Sequence, residues 1–301
     1  MNVYDFITNA IIEELEKGVI PWQKPWTGSP DGAVSHATGK AYSILNQLFM
    51  RPGEYVTFAQ CKAEGGRVKD GAKAKTVVFW KVLRLQEKDD AGNAVTDDDG
   101  KTIEHNIPVL KYYHVFNVAE DCEGLELKWT HENHSPSSVS PVARAEDVLA
   151  DYVRREGITL ENVRGDRAYY SPSQDLIHLP KLNQFTDPAE YYSTAFHEAT
   201  HSTGHAKRLN RFTPYDTFGS ESYSKEELTA EIGSACILHQ LGIATPGTFK
   251  NSAAYIQGWL SALRNDKRLI VSAASRAEKA VARILEPADA VTLDDFAAMI
   301  A

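Results

Sequence analysis

The sequence has few cysteines, no long apolar run and no excess of basic charge, and each of these features excludes a class of protein. Only three of its 301 residues are cysteines, at 61, 122 and 236, without any CxxC pair, which predicts neither a disulfide framework nor a cysteine zinc site. No stretch approaches the roughly 18 apolar residues of a membrane span. The first 18 residues carry four acids and lack the basic and apolar regions of a signal peptide. We therefore expect a cytoplasmic protein without a membrane partner.

The charge balance is acidic: 32 Lys and Arg against 41 Asp and Glu give a formal net charge of −9. The field of the whole molecule does not attract nucleic acid, so any such binding requires a local basic patch. Hydrophobic residues make up 43% of the chain and charged residues 24%, which is typical of a folded protein. The length suggests two domains.

A linker is predicted at residues 131–142, where HENHSPSSVSPV contains four serines and two prolines. Residues 1–130 form a small α+β domain, with an amphipathic helix that ends at Gly18. Two β-type runs, 76–80 and 110–116, follow on either side of an acidic turn. Residues 143–301 form the second domain.

This second domain is predicted to be mainly helical with a short β-sheet. A helix is expected over 143–156 and a β-hairpin over 167–179. Asp187 is a good N-cap before Pro188, which predicts a helix from there to Gly204.

That helix contains an HExxH motif, His197-Glu198-Ala199-Thr200-His201. Residues four apart share one face of a helix, so the two imidazoles can bind one zinc ion. Glu198 then faces the reacting water as general base. The motif predicts a metal site that hydrolyses amide bonds, with Zn²⁺ as the cofactor or another divalent ion such as Mn²⁺ in its place.

The third ligand decides the class of the site. Lys207 stands where a HExxHxxGxxH site has its last histidine, and a protonated lysine does not ligate zinc, so that class requires His205 instead. The ExxAE pattern of Glu227 and Glu231 resembles the glutamate helix of HExxH peptidases, which implies that Glu227 binds the metal and Glu231 orients an imidazole. The alternative makes Ser224 and Glu227 a capping box and Glu231 the ligand.

The N-terminal half combines aromatic and basic residues. Two tryptophans and a lysine, Trp22, Lys24 and Trp26, lie on a proline-containing segment, and residues 61–84 carry seven Lys and Arg against two acids. Cations that neutralise phosphates and rings that stack on bases are typical of single-stranded DNA binding. The alternative is that Trp22, Trp26 and Trp80 fill the core while the lysines are solvated.

Several motifs occur in one order along nearly the whole chain. They are Pro21-Trp22 with Lys24-Pro25-Trp26, residues 40–46 (KAYSILN), 55–60 (YVTFAQ), 65–71 (GGRVKDG), 77–81 (VVFWK), 113–118 (YHVFNV), 197–205 (HEATHSTGH), 208–211 (RLNR) and 226–231 (EELTAE). This succession resembles the ArdC-type antirestriction proteins, which share their N-terminal domain with TraC-type primases of conjugative plasmids.

The resemblance implies an N-terminal domain that binds single-stranded DNA and a C-terminal zincin-like metallopeptidase domain. It also implies a bacterial protein that protects incoming plasmid DNA from host restriction enzymes during conjugation, with a restriction enzyme or another protein as a second partner. Two alternatives stay open: a metalloprotease whose N-terminal domain recruits protein substrates, and a DNA-binding protein whose metal is purely structural. The predicted DNA-binding residues are Trp22, Lys24, Trp26, Tyr42, Asn46, Arg67, Lys69, Lys73, Lys75 and Trp80.

Overall fold

The computed structural model describes residues 2–23, 32–89, 92–97, 99–129, 140–212, 221–243 and 253–285. They form a mixed α+β structure with several small sheets, which confirms the predicted fold class. Within these ranges, no helix combines the length and the apolar composition that crossing a bilayer requires.

The N-terminal helix α1 spans Val3–Glu16 and buries one apolar face. Asn2 and Asp5 form a capping box at its start, where the side chain of each accepts from the backbone amide of the other. Gly18 follows with a φ of +78°, a left-handed conformation that favours glycine and ends the helix. The buried face consists of Ile7, Thr8, Ile11, Ile12 and Leu15.

A four-stranded sheet forms the body of the N-terminal half, in the order β1-β2-β5-β4. β4 and β5 pair antiparallel from Lys75 opposite Val115 to Gln86 opposite Glu104, so both predicted β-type runs are confirmed and extend further than expected. β4 is an edge strand in the described part of the chain, since β5 alone pairs with it there. The strands are β1 (Ala33–Ser35), β2 (Gly53–Thr57), β4 (Lys75–Gln86) and β5 (Glu104–Asn117).

Short elements complete this half of the chain. Two two-residue strands, β3 and β6, pair antiparallel as a separate small sheet. A 3₁₀ turn at Pro21–Gln23 follows α1. The other elements are α2 (Ile44–Gln47), α3 (Phe58–Ala63), β3 (Arg67–Val68), α4 (Val118–Asp121) and β6 (Cys122–Glu123).

The C-terminal half packs a three-stranded sheet and several helices together. The sheet order is β7-β9-β8, with β8 and β9 antiparallel, which confirms the predicted hairpin and leaves β8 at an edge. A 3₁₀ turn, Leu182–Gln184, precedes α6. The elements are α5 (Pro141–Glu156), β7 (Thr159–Val163), β8 (Tyr169–Ser171), β9 (Leu176–Pro180), α6 (Pro188–Ser202), α7 (Glu221–Gln240), α8 (Ala253–Asn265) and α9 (Leu269–Leu285).

The predicted linker needs a correction at its C-terminal end. Residues 131–139 lie outside the described residues, but α5 already begins at Pro141. The Ser140 hydroxyl accepts from the Ala143 amide at 3.2 Å, and Pro141 occupies the first helical position. Ser140 and Pro141, which suggested a linker, therefore start a helix, because serine is a preferred N-cap residue and proline is tolerated in the first helical turn.

One large apolar core joins the two halves of the chain. It contains Ile7, Trp22 and Leu45 from the N-terminal half together with buried residues of α6, α7, α8 and α9. The rings of Trp22 and Trp259 meet edge to face with centroids 6.1 Å apart. The N-terminal helix and the turn after it thus pack against α7, α8 and α9, and α7 and α9 in turn contact the helix that carries the HExxH motif.

Candidate metal centre and nucleic-acid interface

The HExxH motif lies in the C-terminal part of α6, and α7 packs against this helix. The Asp187 carboxylate accepts from the Ala189 amide at 2.8 Å, so the expected N-cap of α6 is present. Gly233 allows a close approach of the helices, because a Cβ at this position would lie 2.8 Å from the side chain of Thr200 on α6. The carboxylates of α7 therefore reach the histidines of α6.

Three side chains converge at this crossing: His197, His201 and Glu227. The two histidine Nε2 atoms are 3.1 Å apart, and the Glu227 carboxylate oxygens lie 3.7 Å from Nε2 of His197 and 3.5 Å from Nε2 of His201. A tetrahedral zinc ion with ligand bonds of about 2.0–2.1 Å separates its ligand atoms by about 3.3 Å. The three donors thus have the spacing that a divalent cation requires.

The second nitrogen of His201 supports the same conclusion. Nδ1 of His201 lies 3.4 Å from Oε1 of Glu226, which favours the tautomer with a proton on Nδ1 and a lone pair on Nε2. That lone pair points at the ring nitrogen of His197. The donor set therefore fits a divalent metal ion.

Sequence reasoning missed Glu226, which holds His201 in place. Arg211 donates to both oxygens of the Glu226 carboxylate, from Nη2 at 2.6 Å and from Nε at 3.1 Å. Burial raises the pKa of Glu226, but the hydrogen bonds from His201 and Arg211 outweigh it and lower the pKa below its usual value. The ExxAE pattern indicated only Glu227 and Glu231. Because Arg211 lies 15 residues from Glu226 in the sequence, no local pattern predicted the Arg211–Glu226 ion pair.

Glu231 is close enough to His197 for its charge to raise the pKa of this histidine, but no hydrogen bond joins the two side chains. Nδ1 of His197 and Oε2 of Glu231 are buried and have no hydrogen-bond partner among the described residues. Burial lowers the pKa of His197, yet the hydrogen bond to Glu227 and the charges of Glu198 and Glu231 raise it to about 9. The surrounding carboxylates thus favour positive charge at this place.

Two alternatives for the third ligand do not fit the structure. α7 begins at Glu221, so Ser224 and Glu227 are inside the helix and form no capping box at its start. His205 lies beyond the end of α6, where its Nδ1 accepts from the Lys207 amide. Neither His205 nor Glu231 belongs to the group of ligand atoms that lie within 4.8 Å of one another.

A cleft of about 580 Å³ opens onto these residues. Glu198 lines it beside the three donors, as a general base must. The edge strand β8 forms another wall through Tyr169 and Tyr170, and Phe212 stacks on Tyr170 with ring centroids 6.2 Å apart. An extended peptide can pair with such an edge and bring a carbonyl to the metal centre.

An ion pair fixes this wall to the end of α6. The side chain of Arg208 is fully buried, and two of its nitrogens donate to the Asp175 carboxylate. It also donates to the Tyr170 hydroxyl at 2.9 Å and to the Ser202 carbonyl at 2.7 Å. Burial opposes ionisation of Asp175, but the hydrogen bonds from Arg208 and Tyr170 lower its pKa to about 2. This network sets the distance between the edge strand and the HExxH helix.

The predicted DNA-binding residues of the N-terminal half do not form one surface. Trp22 is only 1% exposed and packs in the core, so its prediction as a base-stacking residue is wrong. Asn46 is 4% exposed, and its amide group hydrogen-bonds the backbone of Val78 in both directions at 2.8 Å, which makes it a structural residue. Trp80 and Tyr42 are half-buried. Lys24 and Trp26 lie outside the described residues.

Two of the predicted DNA-binding cations have partners within the protein, and two are exposed. Arg67 pairs with Glu123 at 2.7 Å, and the Lys69 ammonium donates to the Glu120 carbonyl at 2.8 Å. Lys73 and Lys75 are exposed, and Lys75 begins β4.

Three exposed rings lie on the β4–β5 hairpin and were not predicted as DNA-binding residues. Phe79, Tyr112 and Tyr113 are 40%, 56% and 36% exposed. Phe79 contacts Tyr113 with centroids 5.4 Å apart, and the cross-strand partner of Phe79 is Lys111. Lys81 follows two residues after Phe79 on the same face of β4. Strand alternation alone could not have separated these rings from the core, since Val77 and Phe79 share a face of β4 but only Val77 of the two is buried.

Replacing Glu227 tests the assigned ligand set. Glu227→Gln keeps the shape but removes the charged donor, so we expect the affinity for Zn²⁺ and Mn²⁺ to fall by more than about 100-fold. Glu226→Gln loosens His201, with an expected loss of about 10- to 100-fold. Competition with a chromogenic chelator measures both, and Glu146→Gln on the exposed side of α5 is the control. A larger loss in Glu231→Gln than in Glu227→Gln would contradict this assignment.

Acid titration tests the Asp175 network. The folded pKa of Asp175 is about 2, below the ordinary value, so its stabilising contribution is complete above about pH 4 and is lost as the pH falls through about 2. Asp175→Asn should lower the free energy of unfolding by about 2 kcal/mol at pH 7. Urea unfolding from pH 7 to pH 2 measures this, with the exposed Asp166→Asn as control. Equal stability of the two variants would refute the role of Asp175.

Comparison with known proteins agrees with both halves of this structure. Residues 1–116 match the model of the N-terminal domain of anti-restriction factor ArdC, and residues 147–276 match that of a zincin-like metallopeptidase. A TraC DNA primase of Escherichia coli is 36% identical over 290 residues; the match covers 92% of this chain but only 19% of the primase. The uncharacterized protein y4eC of Sinorhizobium fredii is 30% identical, with 92% of this chain and 90% of y4eC covered.

The Mn(II)-bound crystal structure of the antirestriction ArdC protein from plasmid R388 is similar in fold and in sequence. Its TM-score is 0.70 at 32% identity, and the match covers 94% of this chain and 97% of that protein. With this near-complete coverage, the chain belongs to the ArdC family of antirestriction proteins.

Proposed function

We propose that this protein binds single-stranded DNA and protects incoming conjugative plasmid DNA from host restriction enzymes, and that its C-terminal half is a metallopeptidase. The observation that carries the enzymatic part is the convergence of His197, His201 and Glu227 beside Glu198 in an open cleft. Family membership supports the antirestriction part. The proposed place of action is the bacterial cytoplasm, where restriction enzymes meet entering DNA.

The geometry supports peptide hydrolysis because each required part has a residue. His197, His201 and Glu227 would hold the metal, for which we propose Zn²⁺, with Mn²⁺ as the alternative, since the similar ArdC structure contains Mn(II). Such an ion, when bound, supplies a Lewis acid and lowers the pKa of a coordinated water. The Glu198 carboxylate takes up the water proton and can deliver it to the leaving amine, while β8 aligns the substrate backbone.

The DNA part of the proposal uses the exposed face of the β4–β5 hairpin. Phe79 and Tyr113 offer adjacent rings, and Lys81 and Lys111 lie beside them on the same face. Base stacking on rings and neutralisation of phosphates by lysines do not depend on sequence, as protection of any incoming plasmid requires. A restriction enzyme or another protein is the proposed partner of the metal cleft.

Salt titration with a labelled single strand tests the DNA half. Because binding releases counterions from the phosphates, we expect the affinity to fall by about tenfold or more between 50 and 200 mM salt. Phe79→Ala should weaken binding by about fivefold or more, whereas Phe58→Ala, an exposed ring on α3, should not. Absence of binding, or an affinity independent of salt, would refute this half of the proposal.

Removing the proposed base tests the enzymatic half. Glu198→Gln leaves the three metal donors in place, so metal affinity should be unchanged while hydrolysis of an unstructured protein substrate falls by about 100-fold or more. Transfer of a plasmid into restricting and non-restricting recipients is measured in parallel. Protection that persists in this variant assigns protection to DNA binding, and loss of protection assigns it to hydrolysis. A variant that hydrolyses like the parent protein would contradict the role of Glu198.

A further inference from the structure

A second pocket, of about 400 Å³, lies where β4 meets α1, α7 and α9. Its lining combines two aromatic residues of the N-terminal half, Tyr4 and Trp80, with three cations of the C-terminal half. These cations are Lys225 on α7, Arg276 on α9, and Arg268 just before α9. The pocket therefore has a composition that neither half of the chain provides alone.

The charge of this pocket is one-sided. Among the residues that the structure describes, its lining contains three cations and no carboxylate. Arg211, Arg264 and Arg283 each have a carboxylate partner within 2.8 Å, whereas no described side chain forms such a pair with Lys225, Arg268 or Arg276. Cations that converge without a carboxylate partner in the described part of the chain are available to bind an anion.

Aromatic and hydroxyl groups complete the lining. The Arg268 guanidinium lies over the Tyr4 ring, 5.3 Å from its centroid, which orients its planar donors. Ser272 and Ser275 contribute two hydroxyl groups from α9, and Trp80 is half-buried at the junction with the hairpin. Guanidinium groups and hydroxyls bind phosphate oxygens, and an indole stacks on a base.

We propose that this pocket binds one nucleotide of a single DNA strand, with the phosphate on Arg268, Arg276 and Lys225 and the base against Trp80. The proposal rests on the proposed DNA binding and specifies a site for it. Trp80 and Phe79 are neighbours on β4 and point to opposite faces of the sheet. β4 is an edge strand, so a strand held on the Phe79 face reaches the pocket by crossing β4 alone.

Charge-removing variants of the full chain test the phosphate contacts. A single-strand phosphate contact contributes about eightfold to the affinity at 50 mM salt, so Arg268→Gln and Arg276→Gln should each weaken binding of a labelled oligothymidylate by about that factor. The double variant should reduce the slope of log affinity against log salt by about 1.4. Lys279→Gln is the matched control, because Lys279 is an exposed cation of α9 outside the pocket. It should stay within about twofold of the parent protein.

The outcomes separate this site from DNA binding in general. A parent protein that does not bind single strands refutes the proposed function itself. If the parent binds while the arginine variants behave like Lys279→Gln, DNA binding stands and the pocket proposal is wrong. Photocrosslinking with a 5-iodouracil oligonucleotide tests the base contact: we expect the crosslinked peptide to contain Trp80, and crosslinks confined to other peptides would overturn it. Circular dichroism and thermal unfolding of each variant establish that it is folded.

Discussion

The balance of buried charge at the α6–α7 crossing determines the rest of the C-terminal half. Four carboxylates, Glu198, Glu226, Glu227 and Glu231, lie around two imidazoles, and Arg211 pairs with Glu226. Buried negative charges are costly unless positive charge lies beside them, so this cluster favours a cation at the crossing. A divalent ion would supply that charge, and burial raises the pKa of Glu231, which favours its neutral form. The electrostatics thus favour a metal ion at the same place as the geometry.

The N-terminal half is packed close to this charge cluster. Tyr255 on α8 contacts Glu231, and it also contacts Trp22 and Trp259 in the shared core. The tryptophan after α1 is therefore two contacts away from a carboxylate that faces His197. Burying such large rings from both halves stabilises one arrangement of the two halves, since aromatic pairs contribute beyond their buried area. The metal centre and the sheet that carries the exposed rings are held by the same core.

Local spacing made the site predictable, and non-local packing made the rest unpredictable. His197 and His201 are one helical turn apart, so the sequence alone indicated that they share a face. Arg211 reaches Glu226 only because the chain after α6 folds back along its end, and no periodicity encodes that. Composition indicated aromatic and basic residues in the N-terminal half, but it could not tell the buried Trp22 from the exposed Phe79. That distinction depends on tertiary packing, since Trp22 meets Trp259 of α8 whereas the Phe79 ring stays exposed on its face of the sheet.

A net charge of −9 is compatible with DNA binding because the charges are segregated around α7. Lys225 and Glu226 are adjacent on this helix. Lys225 is one of the three cations that line the pocket beside β4, whereas Glu226 is one of the three carboxylates that line the metal cleft. Phosphates are repelled from the cleft, since like charges at close range cost several kcal/mol in a partly buried site. Under the proposed function, a DNA strand on the cationic side would be kept away from Glu198. The edge strand β8 would then remain accessible to a polypeptide at a separate place.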